Sequence, residues 1–283
     1  MSDVVVVAQH AVRESLRRRV FLVVLVLSVV FLGLYTWGAS ELFADAESFS
    51  ANEFGVDPET LAGATVLGLA MFAILFLGSV LATFLTLGAV RGDAERGLLQ
   101  PVIVRPVGRV AYLAGRLLAA GAVSAAYAVL LFVACAVITG LLGWWTDRFV
   151  APAVALAAAM VVVASLSLLG SAVLSATANG IAVFMAIGAG LVAGLLGQIG
   201  EALESPTLDR IADVGSWILP FEALYQHGLA RISADVSGPT RAIVNLGPFG
   251  GAQEASFVLW PYAAAYVLGV AALTALLFSR RDL

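Results

Sequence analysis

The chain contains no lysine, and all fifteen of its basic residues are arginines. The phosphate-binding loop of many ATPases, G-x-x-x-x-G-K-[ST], needs a lysine that reaches the nucleotide phosphates. An intrinsic ATPase of this type is therefore excluded for these 283 residues.

Cysteine and histidine are also scarce. The single Cys135 lies inside an apolar run, and His10 and His227 are far apart in the sequence. No disulfide framework is possible with one cysteine, and no H-x-x-x-H metal pair exists. The sequence also lacks a G-x-S-x-G nucleophile motif. We therefore predict no catalytic residue, no metal site and no cofactor in this chain, which is not expected to be an enzyme.

Charged residues are also scarce. Only 12% of residues are charged, while 61% are hydrophobic and the mean hydropathy is +1.00. A transmembrane helix needs about 20 apolar residues. Five runs have no Asp, Glu, Lys, Arg or His, and the fourth is long enough for two helices, with a turn signal at Asn179-Gly180. The runs cover residues 20–39, 61–90, 117–143, 149–200 and 258–278. These features predict an all-α polytopic membrane protein with six spans in one domain, residues 1–283.

The distribution of arginine predicts the orientation of these spans. With six spans, both termini lie on the same side as the 91–116 loop. That side holds eleven arginines, and the other side holds four: Arg148, Arg210, Arg231 and Arg241. Both termini and the loop are therefore expected in the cytoplasm.

The first 19 residues have helical periodicity. Val5, Ala8, Val12 and Leu16 recur on one face, and the basic residues around Arg13 occupy the other. This pattern predicts a helix lying in the cytoplasmic membrane interface. The alternative is a simple basic flank that only fixes topology.

Residues 201–257 form the largest segment expected outside the cytoplasm. Its apolar residues are interrupted by Asp209, Asp213, Pro220 and Glu222, so it is too broken to span the membrane. Short interfacial or re-entrant helices are predicted. They would either line an outer gate or cap the helix ends. The gate candidates are Trp217, Pro220, Phe221, Glu222 and Tyr225.

A small-xxx-small pattern, Gly190 to Gly194, lies in the fifth span. Such a pattern permits close contact between helices. It could serve packing within the chain or a dimer interface, and the sequence leaves both open.

The stretch between the second and third spans is the most informative feature. Residues 87–109 read LGAVRGDAERGLLQPVIVRPVGR, with both signs of charge between two long apolar runs. Topology alone requires only positive charge, so the mixed signs favour a docking surface over an ordinary loop. A short amphipathic helix that stops near Pro101 is expected here.

These residues carry a resemblance to the permease subunits of type-2 ABC exporters. The corresponding loop of that family resembles E-x-x-x-G-T-L-x-x-L-L-S-x-P-x-S-R followed by G-K. This chain departs from it at Leu98, Val104, Gly108 and Arg116, where threonine, two small polar residues and lysine are usual. The matching positions are Glu95, Gly97, Leu99, Ile103, Pro106 and Arg109, then Gly115.

The resemblance extends in outline over the whole chain, including the W-x-x-x-P-F-E-x-x-Y segment at 217–225 and the Ser-Arg-Arg near the C-terminus. Within the family, the arrangement looks most like the branch associated with multicopper-enzyme maturation, such as nitrous-oxide reductase assembly.

The resemblance implies that residues 91–109 form a cytoplasmic coupling loop that docks on a separate ABC ATPase, present in two copies, which would bind ATP and magnesium. It also implies a second permease copy or a related permease, membrane lipid around the spans, no nucleic-acid partner, and a prokaryotic inner membrane. The coupling residues are expected to be Arg91, Asp93, Glu95, Arg96, Gly97, Leu99, Arg105, Pro106 and Arg109.

Two other functions fit the residues. An ATP-independent channel or carrier would share the apolar bundle, although the absence of ionisable residues in the runs disfavours ion coupling. A non-transporting membrane anchor would share the docking loop. The sequence leaves open the substrate, which could be a lipid, a peptide, a drug-like molecule or a sulfur species.

Overall fold

The computed structural model describes residues 3–17, 19–48, 57–87, 89, 108–146, 148–232, 234 and 255–280. Within these ranges the chain forms nine α-helices and no strand. They are α1 (Asp3–Arg17), α2 (Arg19–Ser48), α3 (Pro58–Thr86), α4 (Arg109–Leu141), α5 (Val150–Val173), α6 (Ala176–Leu203), α7 (Pro206–Ile218), α8 (Pro220–Ile232) and α9 (Leu259–Ser279).

Six of these helices, α2 to α6 and α9, are long and apolar enough to cross a membrane. The prediction of an all-helical protein with six spans is confirmed by these lengths and compositions. The chain is a multi-pass membrane protein.

The spans are antiparallel in chain order, and their ends meet at two levels. We call the level at which α3 ends and α4 begins the proximal end of the bundle. The other level, at which α4 ends and α5 begins, is the distal end. The predicted cytoplasmic position of the proximal end stays a prediction.

Helices α3 and α5 form the centre of the bundle. In each of them 61% of the most apolar window is buried, compared with 17% in α2 and 22% in α9. Met71, Ile74 and Leu75 of α3 pack with Leu156 and Met160 of α5, and all five side chains are fully buried. The peripheral helices therefore present most of their apolar surface outward, as lipid contact requires.

Helix α2 extends through Ser48, well beyond the predicted end of the first apolar run. Two hydroxyl pairs connect it to α4. Ser28 Oγ lies 2.5 Å from the Tyr127 hydroxyl, and the Tyr35 hydroxyl lies 2.6 Å from Thr139 Oγ1. These pairs satisfy polar groups that the hydrocarbon surroundings cannot.

The division between α5 and α6 differs from the prediction. The sequence pattern placed a turn at Asn179-Gly180, but the chain breaks at 174–175 and Asn179 lies inside α6. Ser175 provides the helix start, because its hydroxyl oxygen accepts from the backbone N–H of Ala178 at 3.4 Å. The buried Asn179 side chain has a structural role that its preference for turns did not indicate.

Helix α1 packs along α4. Val4 and Val7 lie against Gly115, and Ala11 on the same face is buried. Val5, from the apolar stripe predicted to lie in the membrane interface, is 43% exposed. Val5, Ala8 and Val12 line an apolar groove with Leu118, Ala119 and Ala122 of α4.

Candidate functional site

The predicted coupling loop falls largely outside the described residues. Of its candidates, only Arg109 is described; Arg91, Asp93, Glu95, Arg96, Gly97, Leu99, Arg105 and Pro106 are not. The structure therefore describes the two ends of the loop and the residues that contact them.

Arg109 is the first residue of α4 and contacts the last turn of α9. Its guanidinium Nη1 donates to the carbonyl oxygens of Phe278 at 3.4 Å and Ser279 at 3.2 Å. The guanidinium also lies over the Phe278 ring, 5.6 Å from its centroid. An arginine placed on the final carbonyls of a helix supplies donors that the helix itself lacks and a favourable charge at its negative end. The start of α4 and the end of α9 are thus joined.

One turn further along α4, Tyr112 and Arg116 connect three segments. The Tyr112 hydroxyl donates to the carbonyl of Ala89 at 2.8 Å, just before the loop. Arg116 Nε donates to the Tyr112 hydroxyl at 3.1 Å, and its Nη1 pairs with Glu14 Oε2 of α1 at 3.1 Å. Arg116 is 8% exposed, so its contact with Tyr112 is shielded from water, whereas the Glu14 side chain is 37% exposed. The end of α3, the start of α4 and α1 are therefore linked through one buried arginine.

Asn179 of α6 also contacts the end of α3. Its Nδ2 donates to the carbonyl of Ser167 in α5 at 2.9 Å and to that of Leu87, at the end of α3, at 3.3 Å. The residue is fully buried, and its Oδ1 packs against Gly170, where a Cβ atom would lie only 2.0 Å away. Asn179 joins the end of α3 to α5 and α6.

We call Glu14, Arg109, Tyr112, Arg116 and Asn179 the loop frame. Together these residues connect both ends of the 91–107 segment to α1, α5, α6 and α9. Only Arg109 was among the predicted coupling residues. Arg116 had a sequence signal in the Gly115-Arg116 pair, whereas Glu14, Tyr112 and Asn179 had none that pointed to this position.

At the distal end the five gate candidates separate into two groups. Trp217 lies at the end of α7 and is 55% exposed, with its ring edge-on to Tyr262 of α9 at a centroid distance of 4.5 Å. Tyr262 also donates a short hydrogen bond to the Trp217 carbonyl. Trp217 therefore anchors α7 to α9 rather than facing the interior.

Phe221, Glu222 and Tyr225 come together inside the bundle. Pro220 starts α8, and the following turn brings these three side chains inward with exposures of 0%, 3% and 3%. The Phe221 ring packs at Gly190, and the Glu222 carboxylate packs at Gly194, where a Cβ would lie 1.8 Å from Oε1. The small-xxx-small pattern of the fifth span therefore serves packing within the chain, which was one of the two interpretations of the sequence.

Beside Glu222 lies a cavity of about 150 Å³ between α6, α7 and α8. Its polar lining consists of Gln198, Asp213, Ser216, Glu222 and Gln226. Burial raises the pKa of Glu222 to about 7, against the opposing effect of a hydrogen bond from Gln226. Burial, together with the nearby Glu222 charge, also raises the pKa of Tyr225.

The family model for the ABC-2 family transporter protein matches residues 5–283. The chain belongs to the ABC-2 family of transporter proteins. No curated protein gives a significant match to it.

Membership of this family makes the chain a transporter permease, and it implies in general a cytoplasmic ABC ATPase as partner. The resemblance drawn from the charged loop is confirmed at the level of the family. In the permease, the residues of the loop frame contact the described ends of the segment expected to meet that ATPase. The distal cavity lies at the opposite end, beyond the apolar core.

Proposed function

We propose that the chain is the transmembrane subunit of an ATP-driven exporter, and that residues 91–109 dock on a separate cytoplasmic ABC ATPase. The observation that carries this proposal is the loop frame. Both ends of the loop are joined by hydrogen bonds and an ion pair to helices that are distant in sequence. A displacement of the loop would therefore be transmitted to the bundle.

The frame gives this transmission a definite route. A displacement of the loop reaches α3 through Leu87 and Ala89, and it reaches α4 through Arg109 and Tyr112. From Arg116 it passes to α1, and from Arg109 to α9. The contacts of Tyr112 with Ala89 and Arg116, and of Asn179 with Ser167, are buried and costly to break without replacement, so the segments that they connect would move together.

The finer features of the proposal follow from the same arrangement. We place the proximal end in the cytoplasm of a prokaryotic cell, with the chain in the inner membrane and two ATPase copies beneath a pair of permeases. The weakly buried α2, α6 and α9 supply apolar surface for lipid and for the second permease. ATP and magnesium would bind to the partner, and the chain itself would hold no cofactor and no catalytic residue.

We further propose that the chain belongs to the branch that serves multicopper-enzyme maturation. Its support is the order of segments: an N-terminal helix, six spans and the α7–α8 pair before the last span. No residue in the described part of the chain designates a substrate.

Charge reversal in the loop tests the docking assignment. The permease and its ATPase would be purified together from native membranes and placed in lipid nanodiscs. We expect Glu95→Arg and Arg105→Glu to leave membrane insertion intact while lowering ATP hydrolysis to the rate of the isolated ATPase, since complementary charge at the contact would be lost. Arg210→Glu, an exposed reversal on α7 at the distal end, is the matched control and should retain stimulation.

The outcomes separate the alternatives. Unchanged binding and hydrolysis in both loop variants would contradict the docking role. Transport by the purified chain alone, driven by an ion gradient in proteoliposomes, would favour a channel or carrier. Coupled hydrolysis without transport of any substrate would favour a membrane anchor.

A further inference from the structure

We propose that the distal cavity between α6, α7 and α8 is a binding site for a small primary ammonium group, with the Glu222 carboxylate as its main acceptor. This goes beyond export, because it assigns a ligand class to a position that the ATPase does not touch. The cavity, its lining and the burial of Glu222 support this assignment.

Hydrogen-bond directions make the cavity a set of acceptors. Gln198 Nε2 donates to Gln226 Oε1 at 3.3 Å, which leaves the Gln198 carbonyl oxygen as an acceptor. Ser216 Oγ donates to the backbone carbonyl of Asp213 at 2.8 Å, so its lone pairs remain for a ligand. With the carboxylates of Asp213 and Glu222, the lining offers four oxygen groups, and none of the described lining residues is cationic. Such a lining favours a ligand that carries positive charge and several donors.

The position of Glu222 is enforced by packing. Its carboxylate lies over Gly194, and the residue is 3% exposed. Among the described residues, Glu222 Oε1 has no hydrogen-bond partner. A buried carboxylate oxygen without a partner is costly, and native structures generally satisfy such groups. An N–H donor of a bound cation would supply that partner in a short, charge-assisted hydrogen bond.

The chemistry of the lining favours ammonium over a hard metal ion. Within the described part of the chain, no group of three or more His, Cys, Asp or Glu side chains lies close enough to hold a metal. Two carboxylates, one amide oxygen and one hydroxyl instead match the three donors of a primary ammonium group. The volume of about 150 Å³ exceeds the roughly 10–15 Å³ needed for one water, so methylammonium fits with accompanying water.

The titration of Glu222 gives the site a pH dependence. The groups facing this carboxylate are Gln198 from α6, Asp213 from α7, and Tyr225 and Gln226 from its own helix. Helix α5 has no titratable residue, and the acid of α3, Glu59, lies beside Gly143. Burial raises the pKa of Glu222 to about 7. A bound cation favours the charged carboxylate, so binding in weakly acid solution must release a proton.

The test is calorimetry of methylammonium chloride with the purified full chain in nanodiscs, against sodium chloride at equal ionic strength. We expect saturable binding whose affinity falls about tenfold from pH 8 to pH 6, with release of about 0.9 proton per ligand at pH 6 and about 0.1 at pH 8. Proton release is read from the dependence of the heat on buffer ionisation enthalpy. Ammonium and hexylammonium are run in parallel, and they distinguish a free ion from the head of a larger amine.

Three variants define the site. Glu222→Gln keeps the shape of the side chain, and we expect it to weaken binding at least about tenfold and to abolish proton release. Asp213→Asn, at an exposed position that tolerates change, should weaken binding several-fold while the pH dependence stays. Asp209→Asn, an acid of α7 that does not line the cavity, is the matched control and should bind as the parent does.

Several results would overturn the proposal. They are absence of methylammonium binding at millimolar concentration, equal binding by the parent and the Glu222→Gln protein, or complete displacement by equimolar sodium. None of these results bears on ATPase coupling, and a loop variant that failed to uncouple would leave cation binding unaffected. The two proposals therefore fail separately.

Discussion

At the scale of single residues, Arg116 makes two contacts that depend on the shape of its side chain. The guanidinium uses two different nitrogens: Nε meets the Tyr112 hydroxyl, and Nη1 meets Glu14. A lysine ammonium is one compact group on a flexible stem and cannot span both acceptors in the same fixed geometry. The guanidinium at this position is therefore part of the loop frame.

We expect Arg116→Lys to keep the ion pair with Glu14 and to lose the contact with Tyr112. A hydrogen bond from a charged donor contributes about 1.5–3 kcal/mol, so its loss lowers the melting temperature by roughly 3–12 °C in a chain of this size. Arg116→Gln loses both contacts and should be less stable still. Thermal unfolding in nanodiscs measures the order of the melting temperatures, with Arg210→Gln as the exposed control. Equal melting temperatures for Arg116→Lys and Arg116→Gln would contradict the role of two separate guanidinium nitrogens.

Asn179 shows the limit of reading residues one at a time. An Asn-Gly pair is a strong turn signal because both residues adopt turn conformations readily. Here the amide donates to the carbonyls of Ser167 in α5 and Leu87 at the end of α3. That benefit depends on the position of α3 in space, which no local pattern contains. Ser175, three residues before Ala178, was the local cue to the true helix start.

At the scale of elements, small residues of α6 determine where α8 packs. Gly190 admits the Phe221 ring, and Gly194 admits the Glu222 carboxylate. Gly188 of the same helix faces open space, because no neighbouring group lies within 4 Å of the position that a Cβ would take. The same residue type is therefore essential at one position and replaceable at another, six residues away.

We expect Gly194→Ala to destabilise the permease by about 1–3 kcal/mol, because the added methyl overlaps the buried carboxylate. Gly188→Ala should be neutral or stabilise α6 by up to about 1 kcal/mol, since alanine favours a helix over glycine. Differential scanning fluorimetry on both variants measures the contrast. Similar losses at the two positions would show that the glycines serve another purpose.

Some features of the helices could be predicted from the sequence, and others could not. The six spans follow from composition alone, because only long apolar helices satisfy their backbone groups inside a bilayer. The packed face of α1 did not follow, since Val4, Val7 and Ala11 form a stripe as good as Val5, Ala8 and Val12. Helical periodicity identifies both apolar stripes of α1, and only the position of α4 determines which of them is packed. The inward turn of Phe221, Glu222 and Tyr225 likewise required the glycines of α6.

At the scale of the whole molecule, the two ends of the bundle differ in chemistry. The proximal end joins helices through arginine, tyrosine and asparagine at backbone carbonyls. The distal end has acids and amides around a cavity.

Orientation can be measured with cysteine labels, because the chain's one thiol, Cys135, is fully buried. In a Cys135→Ala background, we expect a membrane-impermeant maleimide to label Thr207→Cys in intact spheroplasts, since Thr207 is exposed on α7. Arg105→Cys should react only after the membrane is opened, because the arginine excess places the loop in the cytoplasm. The reverse pattern would invert the proposed topology, and the cysteine-free parent controls for background.

The two hydroxyl pairs between α2 and α4 also constrain how the first span can move. Ser28 and Tyr35 are seven residues apart, about 10.5 Å along the helix, and each meets its own partner. Sliding α2 along its axis would break both pairs at once, in surroundings where no water can replace them. Tilting about one pair as a pivot would retain that pair and separate the other. The two pairs together therefore fix the register of the first span against α4.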